Sequence, residues 1–471
     1  MRHSGLSDAG ALTSTNLQSI MPLSPARRAA FEILRRVEDE SAYASSLLAT
    51  MDERLRSDDR SLSHELVLGV LRRQLWLDRV LEHFANRRLE SLDLPVRLAL
   101  RLGLYQLRFL SRIPASAAVN DSVNLVRANG LSSAAGFTNA VLRRATREAD
   151  YDPTEKILDP IEKLAIATSH PQWLVERWAN ALGLEEARAL AHANNEPAPV
   201  AVRLTTKTSE DDNGEQRIVE ELAAAGLEVR QSKIVPRSWR VIGQSAALLR
   251  NLTSAGLIYL QDEASQMVAH LLDVQPSDRV LDVCAAPGSK TTHIGVLVPQ
   301  ARIVASDLYE NRLSILRELA RTQGNDSIQL AVADATCVLP FARASFDRVL
   351  VDAPCSGTGT LRRNPEIRWR LNAADIAELS AKQRQILAQA AEMVRPGGTL
   401  FYTTCSLETD ENEGVALDFV KEHAEFDQLL LPNPPIFNYP GDLATATGAI
   451  RTWPHRHDVD GFFMIAFQRR G

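Results

Sequence analysis

Disulfide scaffolds are excluded first. The 471 residues hold only four cysteines, Cys284, Cys337, Cys355 and Cys405, all in the second half. No C-x-x-C pair occurs, which removes the usual zinc and dithiol spacings, and no metal is expected. No apolar run approaches the roughly 18 residues a membrane helix needs. Residues 1–20 lack an apolar stretch followed by a cleavage signal, so a secretory leader is not expected; they read as a disordered tail, with Met21 as an alternative start. Glycine and proline number 23 and 22, too few for a low-complexity or collagen-like chain. With 45% hydrophobic and 24% charged residues, and a length that implies about three domains, the chain reads as a multidomain cytoplasmic protein.

Lysine is missing from one long stretch. The net charge of −6 argues against a nucleic-acid partner, yet Met21–Arg147 carries about 20 arginines, no lysine and about 14 acids. Arginine forks suit phosphate and base stacking, although charge alone leaves a plain solvated face equally open.

That stretch reads as all helical. Ser24-Pro25 predicts a helix start with Ser24 as N-cap. Ala30, Ile33, Leu34 and Val37 follow at helical spacing, with Arg27, Arg28, Arg35 and Arg36 toward solvent. A second run carries Leu66, Val67, Val70 and Leu71. A third starts at Pro95 and places Arg97, Arg101 and Arg108 on one face as an RNA-contacting stripe. A fourth ends in Asn139–Arg144. The runs SPARRAAFEILRRV, SHELVLGVLRRQLWLDRVL, VRLALRLGLYQLRFLSRIPASAAVNDSV and GFTNAVLRRATR resemble the NusB family of RNA-binding helical domains over nearly all of residues 24–147. That family serves both antitermination complexes and enzymes, so a non-catalytic antitermination factor stays open at this point.

From about Asp150 to Asn251, helices and short strands alternate, which implies a small α+β module that grips RNA or acts as a plain spacer. From Ile258 the rhythm becomes β-α-β-α, predicting an open parallel sheet with helices on both faces. Strands are expected at 279–283, 302–307, 328–334, 346–352 and 399–404, the last after a Pro396-Gly-Gly turn. Three of them end in Asp307, Asp334 and Asp352, and ligands in such sheets lie outside the carboxyl ends. The first loop, Cys284-Ala285-Ala286-Pro287-Gly288-Ser289-Lys290, has one glycine where a dinucleotide fingerprint has three, and is no Walker sequence. Asp307 follows Gly288 by 19 residues, the interval for ribose hydroxyls. A nucleoside cofactor without phosphates, S-adenosylmethionine, fits best.

Cys355, three residues after Asp352, and Cys405, after the last strand, face the same crevice. Beside a methyl donor a thiolate has one outstanding use: adding to carbon 6 of cytosine, which makes carbon 5 nucleophilic, while an acid, Asp352, steadies the ring nitrogen. DVCAAPGSKTTHI, DAPCSGTGTLRRNPEIRWR, RPGGTLFYTTCSLETDENE and DGFF resemble the RNA cytosine-5 methyltransferases of the Nol/Nop/Sun family, with YLQDEAS resembling that family's preceding motif. The resemblance runs from about His170 to Arg470. It implies that residues 284–290 form the cofactor loop, that Asp307 takes the ribose, Asp334 the adenine region, and Asp352 the methionine end and the target base. It also implies that Cys405 is the nucleophile and that Cys355 assists release. Ser289 stands where the family usually has Gly, and is expected to cap the next helix. Cys284 and Cys337 are expected in the core.

The expected architecture is therefore an all-α NusB-like bundle (21–150), a small α+β middle module (151–251) and an α/β Rossmann-like methyltransferase domain (252–471). Joined to a NusB-like bundle, the catalytic motifs imply a 16S rRNA enzyme acting on cytosine 967. The expected partner is 16S rRNA, with no membrane, and the expected state is a monomer. Other RNA, tRNA included, is the nearest alternative substrate. A DNA cytosine enzyme would use the Pro-Cys thiol and lack the bundle; a protein or small-molecule methyltransferase is left open by the sheet alone.

Overall fold

The structure is a computed structural model and describes residues 23–51, 55–243, 245–431 and 443–471. The tail and the alternative start at Met21 lie outside the described residues. Contacts divide the chain into one unit of residues up to Val70 plus Leu77–Asp152, and a second of Leu71–Trp76 plus Pro153–Gly471.

In the first unit every regular element among the described residues is helical, including Pro25–Asp39, Leu94–Phe109, Ala115–Ala128 and Ala135–Arg147. Pro25 occupies the first helical turn as expected, but Ser24 makes no side-chain cap bond; its carbonyl receives Arg28 N–H at 3.0 Å. The Leu94–Phe109 helix is apolar nearly all round, with Val96, Leu98, Leu100, Leu102 and Leu104 buried, so it runs through the core.

This takes Arg101 out of the arginine stripe. Arg101 is only 5% exposed and donates to both oxygens of Asp78 at 2.7 Å and to Glu38. Arg97 binds the same Glu38 at 2.8 Å, and Arg108 caps the Glu148 carbonyl at 2.8 Å. Burial works against the Arg101 charge, but Asp78 and Glu38 outweigh it and hold the guanidinium protonated. Arg27, expected at the solvent side, is also buried, donating to Gln106 at 2.6 Å with Asp121 at 3.1 Å. Arg97 and Arg101 are thus spent on neighbouring carboxylates, and Arg108 on a backbone carbonyl. Arg101→Ala is expected to cost about 3–5 kcal/mol of stability by stranding Asp78 and leaving Glu38 only Arg97. Denaturant unfolding checks this, and a loss under about 1 kcal/mol would mean the pair is a solvated one.

The second unit begins with helices Pro160–Thr168, Gln172–Leu182 and Leu184–Ala193. Their apolar faces (Leu164, Leu174, Trp178, Leu190) pack with Leu361, Ile367, Leu407 and Trp453 of the catalytic region, so this stretch belongs with that region's core and not with the middle module. The middle module is β1 (Val200–Leu204), helix Gly214–Ala224, β2 (Glu228–Gln231), β3 (Ser238–Ile242), helix Ala246–Ser254 and β4 (Ile258–Leu260). Its strands lie antiparallel in the order β2-β3-β1-β4, a β-α-β-β-α-β arrangement of ferredoxin-like type. β4 pairs with β1, so the module closes after Leu260 and not at the expected boundary of 251/252.

The large sheet contains β5 (Arg279–Asp282), β6 (Arg302–Asp307), β7 (Gln329–Val332), β8 (Phe346–Asp352), β9 (Val394–Thr404), β10 (Phe426–Leu429), β11 (Ile450–Arg451) and β12 (Phe463–Arg469). Its order is β10-β12-β9-β8-β5-β6-β7, with β11 on β12. β5 to β9 run parallel as expected, whereas β12 enters antiparallel beside β9, so the sheet is mixed. The Pro396-Gly-Gly segment, expected as a turn before the strand, interrupts β9: pairing with β8 breaks after Val394 and resumes at Thr399, with Gly397 at φ +76°.

Alternation along the strands feeds two cores. Val349, Val351, Leu400 and Tyr402 share one with the helices Ala373–Ala391 and Glu413–Glu422. Leu350 and Phe401 share the other with helix Glu263–Leu271. The chain leaves β5 for β6 and β7 on one side and returns to β8 and β9 on the other. The crevice outside the carboxyl ends of β5 and β8 is therefore the topological switch point, where such sheets bind ligands.

Candidate active site

The first loop turns directly from β5 into helix Ser289–Leu297. Gly288 has φ +107°, and a Cβ there would lie 2.5 Å from Leu316 Cγ, so only glycine fits. Gly288 is also the N-cap, which leaves Ser289 as the first helical residue and not the expected cap. Ala285 N–H bonds to Ser306 O at 2.8 Å, and Ala286 N–H to Asp307 Oδ2 at 3.2 Å. Asp307, 4% exposed, also accepts Tyr309 N–H at 3.2 Å and faces Arg312 at 3.4 Å. The loop and the β6 aspartate are thus one assembly. Asp334 is exposed beyond β7; the Thr336 hydroxyl at 2.7 Å and Thr336 N–H at 2.9 Å hold its carboxyl below the usual range.

Lys290 reaches across from the loop to Asp352, Nζ to Oδ2 at 2.6 Å, and is 8% exposed. Burial opposes the ammonium charge, but Asp352, helped by Cys405 and Asp282, outweighs it and raises the lysine. Lys290, assigned to the cofactor loop, is therefore also the counter-ion of the aspartate expected to hold the base.

The two cysteines meet: Cys355 Sγ and Cys405 Sγ lie 3.4 Å apart, and both are half-buried. Contact with Cys405, burial and the nearby Glu411 carboxylate together push the Cys355 thiol well above its ordinary value. The close approach depends on glycine. Gly359 N–H bonds to Cys405 O at 2.9 Å and Gly461 N–H to Gly359 O at 2.8 Å, and a Cβ on Gly359 would lie 2.0 Å from Gly461 O. This places the DGFF motif against the Cys355 and Cys405 loops.

Of the other two thiols, Cys284 is half-buried against the sheet core, and burial raises it strongly. Cys337 is exposed, contrary to expectation, because it follows the Asp334–Thr336 turn at the rim of the crevice and not a strand.

Asp282 was overlooked in the sequence, though it ends β5 as Asp307 and Asp352 end theirs. It is 1% exposed, accepts the Thr291 hydroxyl at 2.7 Å, and burial pushes its carboxyl up to about 7. Between its unfolded value and about pH 7 the folded chain therefore binds more protons at this site than the unfolded one. Stability should fall as pH rises through that window, by at most about 1.4 kcal/mol per pH unit. Asp282→Asn should flatten that slope in urea titrations at several pH values; an unchanged slope would mean that the carboxyl is ionised in the native state.

Comparison with known proteins bears on these features. Residues 24–147 match the NusB family, 170–257 the RsmF/B-like ferredoxin-like domain, and 269–468 the family of 16S rRNA methyltransferase RsmB/F. The probable ribosomal RNA small subunit methyltransferase B of Bacillus subtilis (strain 168) is 34% identical over 94% of this chain and 99% of its own length. The chain belongs to the ribosomal RNA small subunit methyltransferase B family. The corresponding Synechocystis protein is 36% identical over 94% of this chain and 99% of its own. The crystal structure of PH0851 matches with TM-score 0.80 and 29% identity, covering 94% of this chain and 98% of that one. As a member of this family the chain is an RNA methyltransferase, with an all-α NusB domain, a ferredoxin-like domain and a Rossmann-like methyltransferase domain. No helix among the described residues is long and apolar enough to cross a membrane.

Proposed function

We propose that this enzyme acts in the cytoplasm, methylating carbon 5 of cytosine 967 in 16S rRNA through a covalent adduct at Cys405. The observation that carries this reading is the pair of sulfurs 3.4 Å apart beside the Lys290–Asp352 ion pair. Amino-group methylation needs no thiol, whereas a covalent route gives one sulfur the attack and the other a part in release.

S-adenosylmethionine supplies an electrophilic methyl group when bound. The crevice fits it: Asp307 ends β6 where ribose hydroxyls are taken, and the buried Asp282 Oδ1 has no hydrogen-bond partner among the described residues, leaving an acceptor open toward a cationic ligand. Asp307 would hold the ribose, Asp334 the adenine region and Asp352 the methionine end. The target cytosine must leave its stack to enter. A proton from the Lys290–Asp352 pair then passes through the Asp352 carboxyl to the ring nitrogen while the Cys405 thiolate bonds to carbon 6, and the carbon 5–6 electron pair becomes available at carbon 5. After carbon 5 is methylated, loss of its proton restores the ring double bond and expels Cys405 as thiolate, with Cys355 assisting.

Methyl transfer into 16S rRNA, compared with tRNA and DNA, tests the substrate; transfer into tRNA alone would overturn it. Asp307→Ala is expected to weaken S-adenosylmethionine binding about tenfold to a hundredfold, the worth of a lost charge-assisted hydrogen bond. Calorimetry showing unchanged affinity in the folded variant would remove Asp307 from the site.

A further inference from the structure

Glu411 has no role in the reading above, yet it is fully buried and joins both cysteine loops. Its Oε1 accepts the backbone N–H of Ser356 at 2.8 Å and the Gln383 amide at 2.9 Å. Its Oε2 accepts the hydroxyls of Ser356 and Ser406, the residues that immediately follow Cys355 and Cys405. Gln383 also donates to Pro354 O at 3.0 Å, and the Tyr402 hydroxyl donates to Glu411 O at 2.6 Å. One carboxylate, with no cationic partner among these contacts, therefore grips the chain directly after each sulfur.

We propose that Glu411 is a positioning residue that registers the two cysteines against each other and sets its carboxylate against the backbone beside Cys355, so that Cys405 is the sulfur free to attack. The inference rests on the covalent reading of the site. The charges around the pair are arranged to sort them. Lys290, held by Asp352 and near Asp282, interacts with Cys405. Glu411, bonded to the Ser356 N–H next to Cys355, and Tyr402 both act on the Cys355 thiol, and an anion beside a thiol disfavours loss of its proton. The two sulfurs lie 3.4 Å apart, close enough to share one proton, and either can be its donor. Because both thiols are half-buried, access alone does not rank them.

Glu411→Gln is the informative change. The amide keeps an oxygen for Ser356 N–H and Gln383, while its NH₂ can donate to the two serine hydroxyls, which accept as readily as they donate. The network stays and the charge goes. The full-length protein, without RNA or cofactor, is treated with iodoacetamide at several pH values, and each cysteine peptide is quantified by mass spectrometry. In the unmodified protein Cys405 should react about tenfold faster than Cys355 near neutral pH. Glu411→Gln should bring the two rates together, whereas Ser406→Ala, which removes a hydroxyl but keeps the charge, should leave the ratio intact. Faster reaction of Cys355 in the unmodified protein overturns the proposal even if Glu411→Gln does not fold; so does an unchanged ratio in a folded Glu411→Gln. These rates require no methylation, so loss of activity on rRNA with the expected ratios would count against the functional reading and not against Glu411.

Discussion

Cys405→Ala should abolish methyl transfer, by roughly a thousandfold or more, and leave no covalent protein–RNA species on a denaturing gel. Cys355→Ala should do the opposite to the gel: the nucleophile remains, release is impaired, and a trapped adduct accumulates when rRNA and S-adenosylmethionine are supplied. The two sulfurs touch at 3.4 Å, so the variants probe one crevice and differ only in which step they stop. An adduct with Cys405→Ala and none with Cys355→Ala would invert the assignment and match the arrangement of DNA cytosine enzymes. Methylation intact with no adduct in either variant would sink the covalent route.

Asp352→Asn is expected to reduce methylation by about 10²–10⁴-fold, the usual worth of a positioned proton-transfer group. It should also lower stability by about 3 kcal/mol, because Lys290 loses its anion while 8% exposed. The block falls before the adduct, so Asp352→Asn should trap no RNA, and Asp352→Asn combined with Cys355→Ala should trap none either. If that double variant accumulated adduct at the rate of Cys355→Ala alone, Asp352 would have no part in the attack. Urea unfolding separates the stability loss from the chemical one.

Where chemistry follows chain order, it was legible. A parallel strand delivers its last residue to the crevice, so Asp307 and Asp352 could be placed from the ends of apolar runs. Asp282 obeys the same rule and was missed because it sits inside the run Val-Leu-Asp-Val and looks like an interruption of a strand. The antiparallel β12 was not legible because alternation is the same in either direction, and only pairing with β9 reveals the reversal. Glu411 is one of four acids in Glu408-Thr-Asp-Glu-Asn-Glu413, of which Glu408 is buried as well; nothing local marks which one joins the cysteine loops.

The arginines divide the two kinds of information most clearly. Helical spacing correctly puts Arg97, Arg101 and Arg108 on a common side of one helix, since side-chain direction is a property of the backbone. Whether that side meets water or carboxylates depends on Glu38 and Asp78, 59 to 63 and 23 residues away in sequence. The same holds at the catalytic end: residue types and order along the chain sufficed to nominate two cysteines, three aspartates and a one-glycine loop. The contacts between the sulfurs, between Lys290 and Asp352, and between Glu411 and the Cys355 loop join residues 50, 62 and 55 positions apart. Burial there multiplies the strength of every charge and makes each unpaired donor costly, so the partners were chosen by packing and not by local sequence.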